Sequence, residues 1–155
     1  MEPLPYNITL SSQTACSIRY DPAPGSAVNQ TTGWMISYTD GVKDLGYGNG
    51  VGVGVDLHQT SLVNATMELD WTGTAVYLYG KADMGSYTIS IDDEDIQAGE
   101  PMGGLLGSKS GLQYGSHKVK LRVIGGNLVS FQYAEVTIGI GYSQYVLNFS
   151  SKSLV

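Results

Sequence analysis

Along most of this chain, apolar and polar residues alternate with a period of two. In 64–71 the apolar positions are Ala65, Met67, Leu69 and Trp71, and Asn64, Thr66, Glu68 and Asp70 stand between them. Successive side chains of a β-strand point to opposite faces, so this segment predicts a strand with one buried and one wet face. The same alternation puts Tyr87, Ile89 and Ile91 on one face of 86–91. In 117–123 it sets His117, Val119, Leu121 and Val123 against Lys118, Lys120 and Arg122. The apolar run 74–80, entered through a turn at Thr72-Gly73, suits a central strand, and 127–138 is a longer β-rich run. Further strands are expected near 6–10, 16–20, 34–38, 51–57 and 144–149. No window supports a long amphipathic helix. Clusters of Gly, Pro, Asp and Asn such as 21–25 and 125–127 punctuate the strands, and glycine-rich 99–111 has the weak periodicity of a loop. Many short strands with frequent turn signals predict an all-β fold, an antiparallel β-sandwich of jelly-roll type. One domain is expected over 1–155, with flexible ends at 1–5 and 150–155.

Two segments place glycine at every second position: Gly46, Gly48, Gly50, Gly52 and Gly54, and again Gly139 and Gly141. In a strand this leaves one face as bare backbone, open to close approach by another chain, a ring or a ligand. Neither segment continues into Gly-Lys-Ser/Thr or into a helix, so neither is a phosphate or dinucleotide loop.

Composition narrows the function classes. Charged residues make up 14% of the chain and the formal net charge is −6. The eight Lys and Arg are scattered, except for Lys118, Lys120 and Arg122 on one strand face. Phosphate binding needs clustered cations, so nucleic acid is not an expected partner. With Cys16 alone there is no internal disulfide, and Cys16 is expected as a small buried hydrophobe. No stretch approaches the roughly 20 apolar residues of a membrane span. Any membrane attachment is expected through a segment absent from this chain, with a signal peptide removed ahead of it and a linker beginning near its end.

Catalytic chemistry has little to stand on. No Gly-x-Ser-x-Gly is present, His58 and His117 stand apart, and no Cys/His pair has zinc-ligand spacing. The acidic run Asp92-Asp93-Glu94-Asp95 reads as a solvated hairpin turn rather than a calcium loop, because alternate carboxylates would face opposite ways. No cofactor, no metal and no enzymatic activity are expected. The aromatics are more suggestive: 11 Tyr against 2 Trp and 2 Phe. Tyrosine offers a flat apolar face with a polar tip, suited to half-buried positions and to sugar platforms. Trp71, Tyr77, Tyr87 and Phe131 fit the core pattern. Trp34, Tyr47 and Tyr114, at strand edges or in glycine-rich loops, are the candidates for ligand contact, together with Asn49.

Four of the six asparagines lie in N-x-Ser/Thr sequons: Asn7, Asn29, Asn64 and Asn148. All four are candidate glycosylation sites, and they point to the secretory pathway and an extracellular or cell-surface location.

Several stretches carry a family resemblance. They are Trp71-Thr72-Gly73-Thr74-Ala75-Val76, Gly85-Ser86-Tyr87 through Asp92, Gly115-Ser116-His117, and Phe131-Gln132-Tyr133, with Ile18-Arg19-Tyr20-Asp21 and Gly33-Trp34 upstream. Together they resemble the galactose-binding-like β-sandwich found as the ectodomain of single-pass membrane proteins of mushroom-forming fungi. The resemblance spans about 18–136 and implies a jelly-roll fold, an outside location, and a following linker and membrane helix in a longer protein. No ligand residues carry over from it, because the matching motifs belong to the core. The expected function is a non-catalytic recognition domain binding carbohydrate of the cell surface or wall through loops at one end of the sandwich. The alternatives are an adhesion or spacer domain making protein contacts, including with itself, and, less favoured, a secreted hydrolase.

Overall fold

The structure, a computed structural model, describes residues 5–46 and 50–139. Thirteen strands follow in order: β1 (Tyr6–Ser11), β2 (Ile18–Asp21), β3 (Met35–Tyr38), β4 (Val42–Asp44), β5 (Gly50–Gly52), β6 (Asp56–Thr60), β7 (Thr66–Gly73), β8 (Ala75–Lys81), β9 (Tyr87–Ile91), β10 (Glu94–Ile96), β11 (Leu105–Lys109), β12 (Gly115–Val123) and β13 (Val129–Ile138). The helical content among these residues is one 3₁₀ turn, Pro101–Gly103. Tyr47, Asn49, Asn148, the expected strand at 144–149 and nearly all of the two expected flexible ends lie outside the described residues.

Two antiparallel sheets face each other. The first runs β11-β8-β13-β6-β3, with β1 paired to the later half of β13; the second runs β10-β9-β12-β7-β2. Successive strands pass from sheet to sheet, β6 to β7 to β8 to β9, which is the jelly-roll winding. Thr72 and Gly73 are the last residues of β7, and the chain crosses between the sheets at Thr74: β7 ends in the second sheet and β8 begins in the first. Gly73 is needed there, because a Cβ at this position would overlap the Thr137 carbonyl of the facing sheet.

The alternation read from the sequence becomes the core. Met67, Leu69 and Trp71 from β7, Val119, Leu121 and Val123 from β12, and Ile89 and Ile91 from β9 meet Val76, Leu78, Phe131, Ala134 and Val136 from the first sheet. Each Val, Leu, Ile, Met or Phe side chain among them contributes about 1.5–3 kcal/mol on burial. A buried hydrogen bond ties the sheets together, with the Tyr87 hydroxyl donating to the Leu106 carbonyl at 2.7 Å.

Three expectations are corrected. First, 99–111 contains strand β11, whose alternation is broken by a register shift between Leu105 and Gly107. Gly107 sits there because a Cβ would lie 2.5 Å from Ile89 Cδ1 across the core. Second, Cys16 is exposed in the β1–β2 connection, where no apolar alternation carries it inward. Third, 51–57 is divided between β5, in a separate two-stranded ribbon with β4, and β6. In that ribbon the bare glycine positions are covered from within: Gly50 by Val42, and Gly52 by the ring of Tyr38.

Candidate functional site

Of the sequence-derived ligand candidates, Trp34 and Tyr114 lie within the described residues, and the structure does not bring these two together. Trp34 is 0% exposed and belongs to the core, its indole 5.2 Å from the Tyr20 ring. It precedes β3 and turns inward, so it cannot act as an exposed platform. Tyr114 is exposed, but it lies past the other end of β13, where its ring covers Gly139.

The tyrosines converge elsewhere, on the outer face of the first sheet. On β8, Val76 and Leu78 point into the core, so Tyr77 and Tyr79 point out. On β13, Ala134 and Val136 point in, so Tyr133 and Glu135 point out. Register then sets Tyr79 opposite Tyr133 and Tyr77 opposite Glu135. The Tyr79 and Tyr133 rings stack, with centroids 4.5 Å apart and planes inclined by 15°. Each ring lays one face on its partner, and both side chains are half-buried. Partial burial raises the Tyr79 hydroxyl's pKa, and Glu135, Tyr133 and Tyr77 add to the shift. The Tyr79 hydroxyl is therefore a neutral donor and acceptor at physiological pH. Tyr77, placed with the core in the sequence reading, is thus a surface group. The period of two could have shown this, since Tyr77 and Tyr79 alternate with Val76 and Leu78.

Polar groups frame the stack. Asn7 of β1 donates its side-chain amide to Glu135 Oε1 at 2.6 Å and accepts from Thr137 Oγ1 at 2.6 Å. Toward the other end of the same face lies a depression of about 660 Å³, lined among others by Ser37, Gln59, Lys81, Asp83, Ser130 and Gln132. Its size falls within the range of small-ligand sites, roughly 300–1,000 Å³. The face therefore combines aromatic surface, amides, hydroxyls and a carboxylate along β13.

A second polar group is buried between β1, β2 and β6. Ser12 Oγ donates to Asp56 Oδ2 at 2.6 Å and lies 3.0 Å from His58 Nδ1, while the Tyr20 ring stacks on His58 at 4.1 Å. Burial lowers the His58 pKa to about 4, against a smaller upward pull from Asp56. Serine, histidine and aspartate are present, but wired in the wrong order for a hydrolase. The Ser12 hydroxyl gives its proton to Asp56, so His58 donates to serine instead of accepting from it, and Ser12 is fully buried.

The outer face of the second sheet is a charged lattice. Arg19 pairs with Asp70 and with Glu68, and Lys120 Nζ lies 2.8 Å from Glu68 Oε1. Lys120 and, at 4.0 Å, Lys118 of β12 are partly neutralised by Glu68. At the β9–β10 connection, Asp92 and Asp93 form a two-residue hairpin turn. Asp92 accepts from His117 Nδ1 at 2.7 Å and from the Lys118 N–H at 2.9 Å. Among the described residues no group of three or more His, Cys, Asp or Glu is placed to hold a metal ion.

The three sequons within the described residues are exposed at Asn7, Asn29 and Asn64. Asn29 folds onto its own turn, its Oδ1 accepting from the Thr31 N–H at 2.9 Å and from the Thr31 hydroxyl at 2.6 Å. Asn64 occupies a left-handed turn position, φ 69°, between β6 and β7.

No family model matches the sequence, and no curated protein matches it. Among solved structures the chain is similar to a family two carbohydrate esterase from Cellvibrio japonicus, with a TM-score of 0.50 and 9% identity. The match covers 86% of this chain and 34% of that one, so the chain spans about a third of the esterase's length. Likeness at this identity shows the fold alone: an all-β, antiparallel sandwich.

Proposed function

We propose that this chain is a non-catalytic recognition domain that binds carbohydrate on the outer face of its first sheet. The observation that carries the reading is the Tyr79–Tyr133 stack, with Tyr77 and the hydrogen-bonded Glu135 beside it. Apolar ring surface next to amides, hydroxyls and a carboxylate matches the two aspects of a sugar, its C–H faces and its hydroxyl edges. That a protein of similar fold is a carbohydrate esterase supports the substrate class. The buried, reversed Ser12–Asp56–His58 wiring supports binding over hydrolysis. The four sequons support an extracellular, glycosylated chain, and the motif resemblance supports an origin as a fungal membrane-protein ectodomain.

The test is binding of unglycosylated protein to an array of wall and surface polysaccharides. Tyr133→Ala and Glu135→Gln are each expected to weaken any hit about tenfold, or about 1.4 kcal/mol, with Tyr114→Ala close to wild type. An array without hits, or full binding by a Tyr79→Ala/Tyr133→Ala double variant, overturns the reading.

One observation favours a second reading, an adhesion or spacer domain. The β4–β5 ribbon and the residues flanking it project Val42, Leu45, Val51 and Val55 at 49–64% exposure. Apolar groups gathered on one exposed ribbon suit contact with protein. Concentration-dependent sedimentation that Val42→Ser and Val51→Ser abolish would support this reading, and a monomer at all concentrations would reject it.

A further inference from the structure

The sequon asparagine Asn7 and the tyrosine face occupy the same surface. Asn7 lies on the outer side of β1 and pairs with Thr137 of β13, one strand away from the Tyr77–Glu135 pair. Adjacent strands are about 4.8 Å apart and the two pairs are offset by two residues along β13, about 6.8 Å, so roughly 12 Å separates Asn7 from Tyr77. The side chain is held at both ends, with Oδ1 accepting from Thr137 and Nδ2 donating to Glu135. An amide nitrogen carries two hydrogens, and Glu135 uses one. The other hydrogen is left for replacement by a sugar, and Oδ1 keeps its bond from Thr137. Asn64, in the β6–β7 turn, borders the second sheet with Glu68 and Lys120, and Asn29 lies in the loop before β3.

We propose that an N-glycan on Asn7 folds back onto Tyr77 and its neighbours, so that the carbohydrate-binding face is occupied in cis and closed to external ligands until that glycan is absent or trimmed. In the transfer, Asn7 Nδ2 bonds to the anomeric carbon of a lipid-pyrophosphate-linked oligosaccharide. The amide loses one proton and the lipid pyrophosphate leaves, through the host's transferase. The inference rests on the face binding carbohydrate, and it adds which carbohydrate reaches it first. A tethered ligand competes at high effective concentration, so even a weak site would be filled.

The experiment uses protein secreted from a glycosylating eukaryotic host, digested under native conditions with an endoglycosidase that cuts within the glycan core. Release at each sequon is followed by glycopeptide mass spectrometry. The glycan on Asn7 is expected to be released at least tenfold more slowly than those on Asn29 and Asn64. Tyr77→Ala with Tyr133→Ala should bring its rate to theirs and leave theirs unchanged. Thr9→Val removes the sequon and keeps the Asn7 side chain. That variant, from the same host, should bind the array polysaccharides about tenfold better than the wild type. An unmodified Asn7, equal release at all sites, or protection that survives the double tyrosine variant would overturn the inference. If tyrosine-dependent protection is seen while unglycosylated protein binds no polysaccharide, external recognition fails and occupation in cis stands.

Discussion

At the residue scale, aromatic type does not reveal role, whereas position within a strand does. Trp34 follows a glycine at a strand edge, the setting of a binding platform, yet it is wholly buried. Tyr77 sits in an apolar run, the setting of a core residue, yet it faces out beside Glu135. Truncation should separate the two roles. Trp34→Ala is expected to cost about 3–5 kcal/mol by emptying a buried site, read from the urea midpoint. Tyr133→Ala should cost far less stability and act on ligand binding. A gain is expected at Asp93. Asp92 and Asp93 have φ of 51° and 68°, the two positive values of a type I′ turn. Asp92 is committed to His117 and Lys118, whereas Asp93 is free to change. Asp93→Gly, which creates the favoured Asp-Gly pair, should raise the melting temperature; a fall would contradict the turn assignment.

At the scale of elements, His117 joins the β9–β10 hairpin to the loop before β12. Its two ring nitrogens lie 2.7 Å from the Asp92 carboxylate and 2.7 Å from the Gln113 carbonyl. Both partners are acceptors, so the doubly protonated ring satisfies both. Burial, the largest single influence, works against this charge. The hydrogen bonds to Asp92 and Gln113 and the Asp92 charge together outweigh it, so the pKa rises above 6.5. A raised histidine pKa contributes stability that is complete below 6.5 and is lost as pH climbs through the folded value. Asp92 is shifted down, chiefly by its hydrogen bond from His117, so its contribution holds above 3.8 and fails only as pH falls through its lower folded value. An NMR titration of the His117 ring should give a pKa above 6.5, and Asp92→Asn should lower it as burial prevails. A rise in that variant would contradict the pairing. By contrast, the ion pairs on the second sheet's outer face are exposed, and Glu68→Gln is expected to cost under about 1 kcal/mol.

At the scale of the whole molecule, acid should open the fold near His58. This ring is buried between β1, β2 and β6, and burial takes its pKa down to about 4. A lowered histidine pKa contributes stability that is complete above the unfolded value near 6.5 and is lost as pH falls toward 4. The loss is about 3 kcal/mol by pH 4. Denaturant midpoints at pH 7 and pH 4 should therefore differ, and His58→Phe, which keeps a ring against Tyr20, should reduce the difference. An unchanged pH dependence would show that the fold does not lower the His58 pKa. Calcium is expected to leave the melting temperature where chelator does. A specific site at 100-fold excess over its Kd would instead add about 2.7 kcal/mol.

The sequence by itself determined the all-β class and most strand positions, because side-chain alternation is a local property that each strand writes into its own residues. Met67-Leu69-Trp71 and Val119-Leu121-Val123 are buried as their spacing requires. Local signals failed where packing from outside the segment decided the outcome. In β11, the register shift and the contact with Ile89 disguise a strand as a glycine-rich loop. At Thr72-Gly73, residues that signal a turn end β7 inside the second sheet, and the crossing falls at Thr74. The candidate site was illegible for the same reason. Asn7, Tyr77 and Glu135 are separated by 70 and 58 positions in the chain, and only the register of β1 and β8 on β13 makes them neighbours. Pairing register is set by the burial of whole strand faces against the opposite sheet. The tertiary structure therefore decided which tyrosines meet.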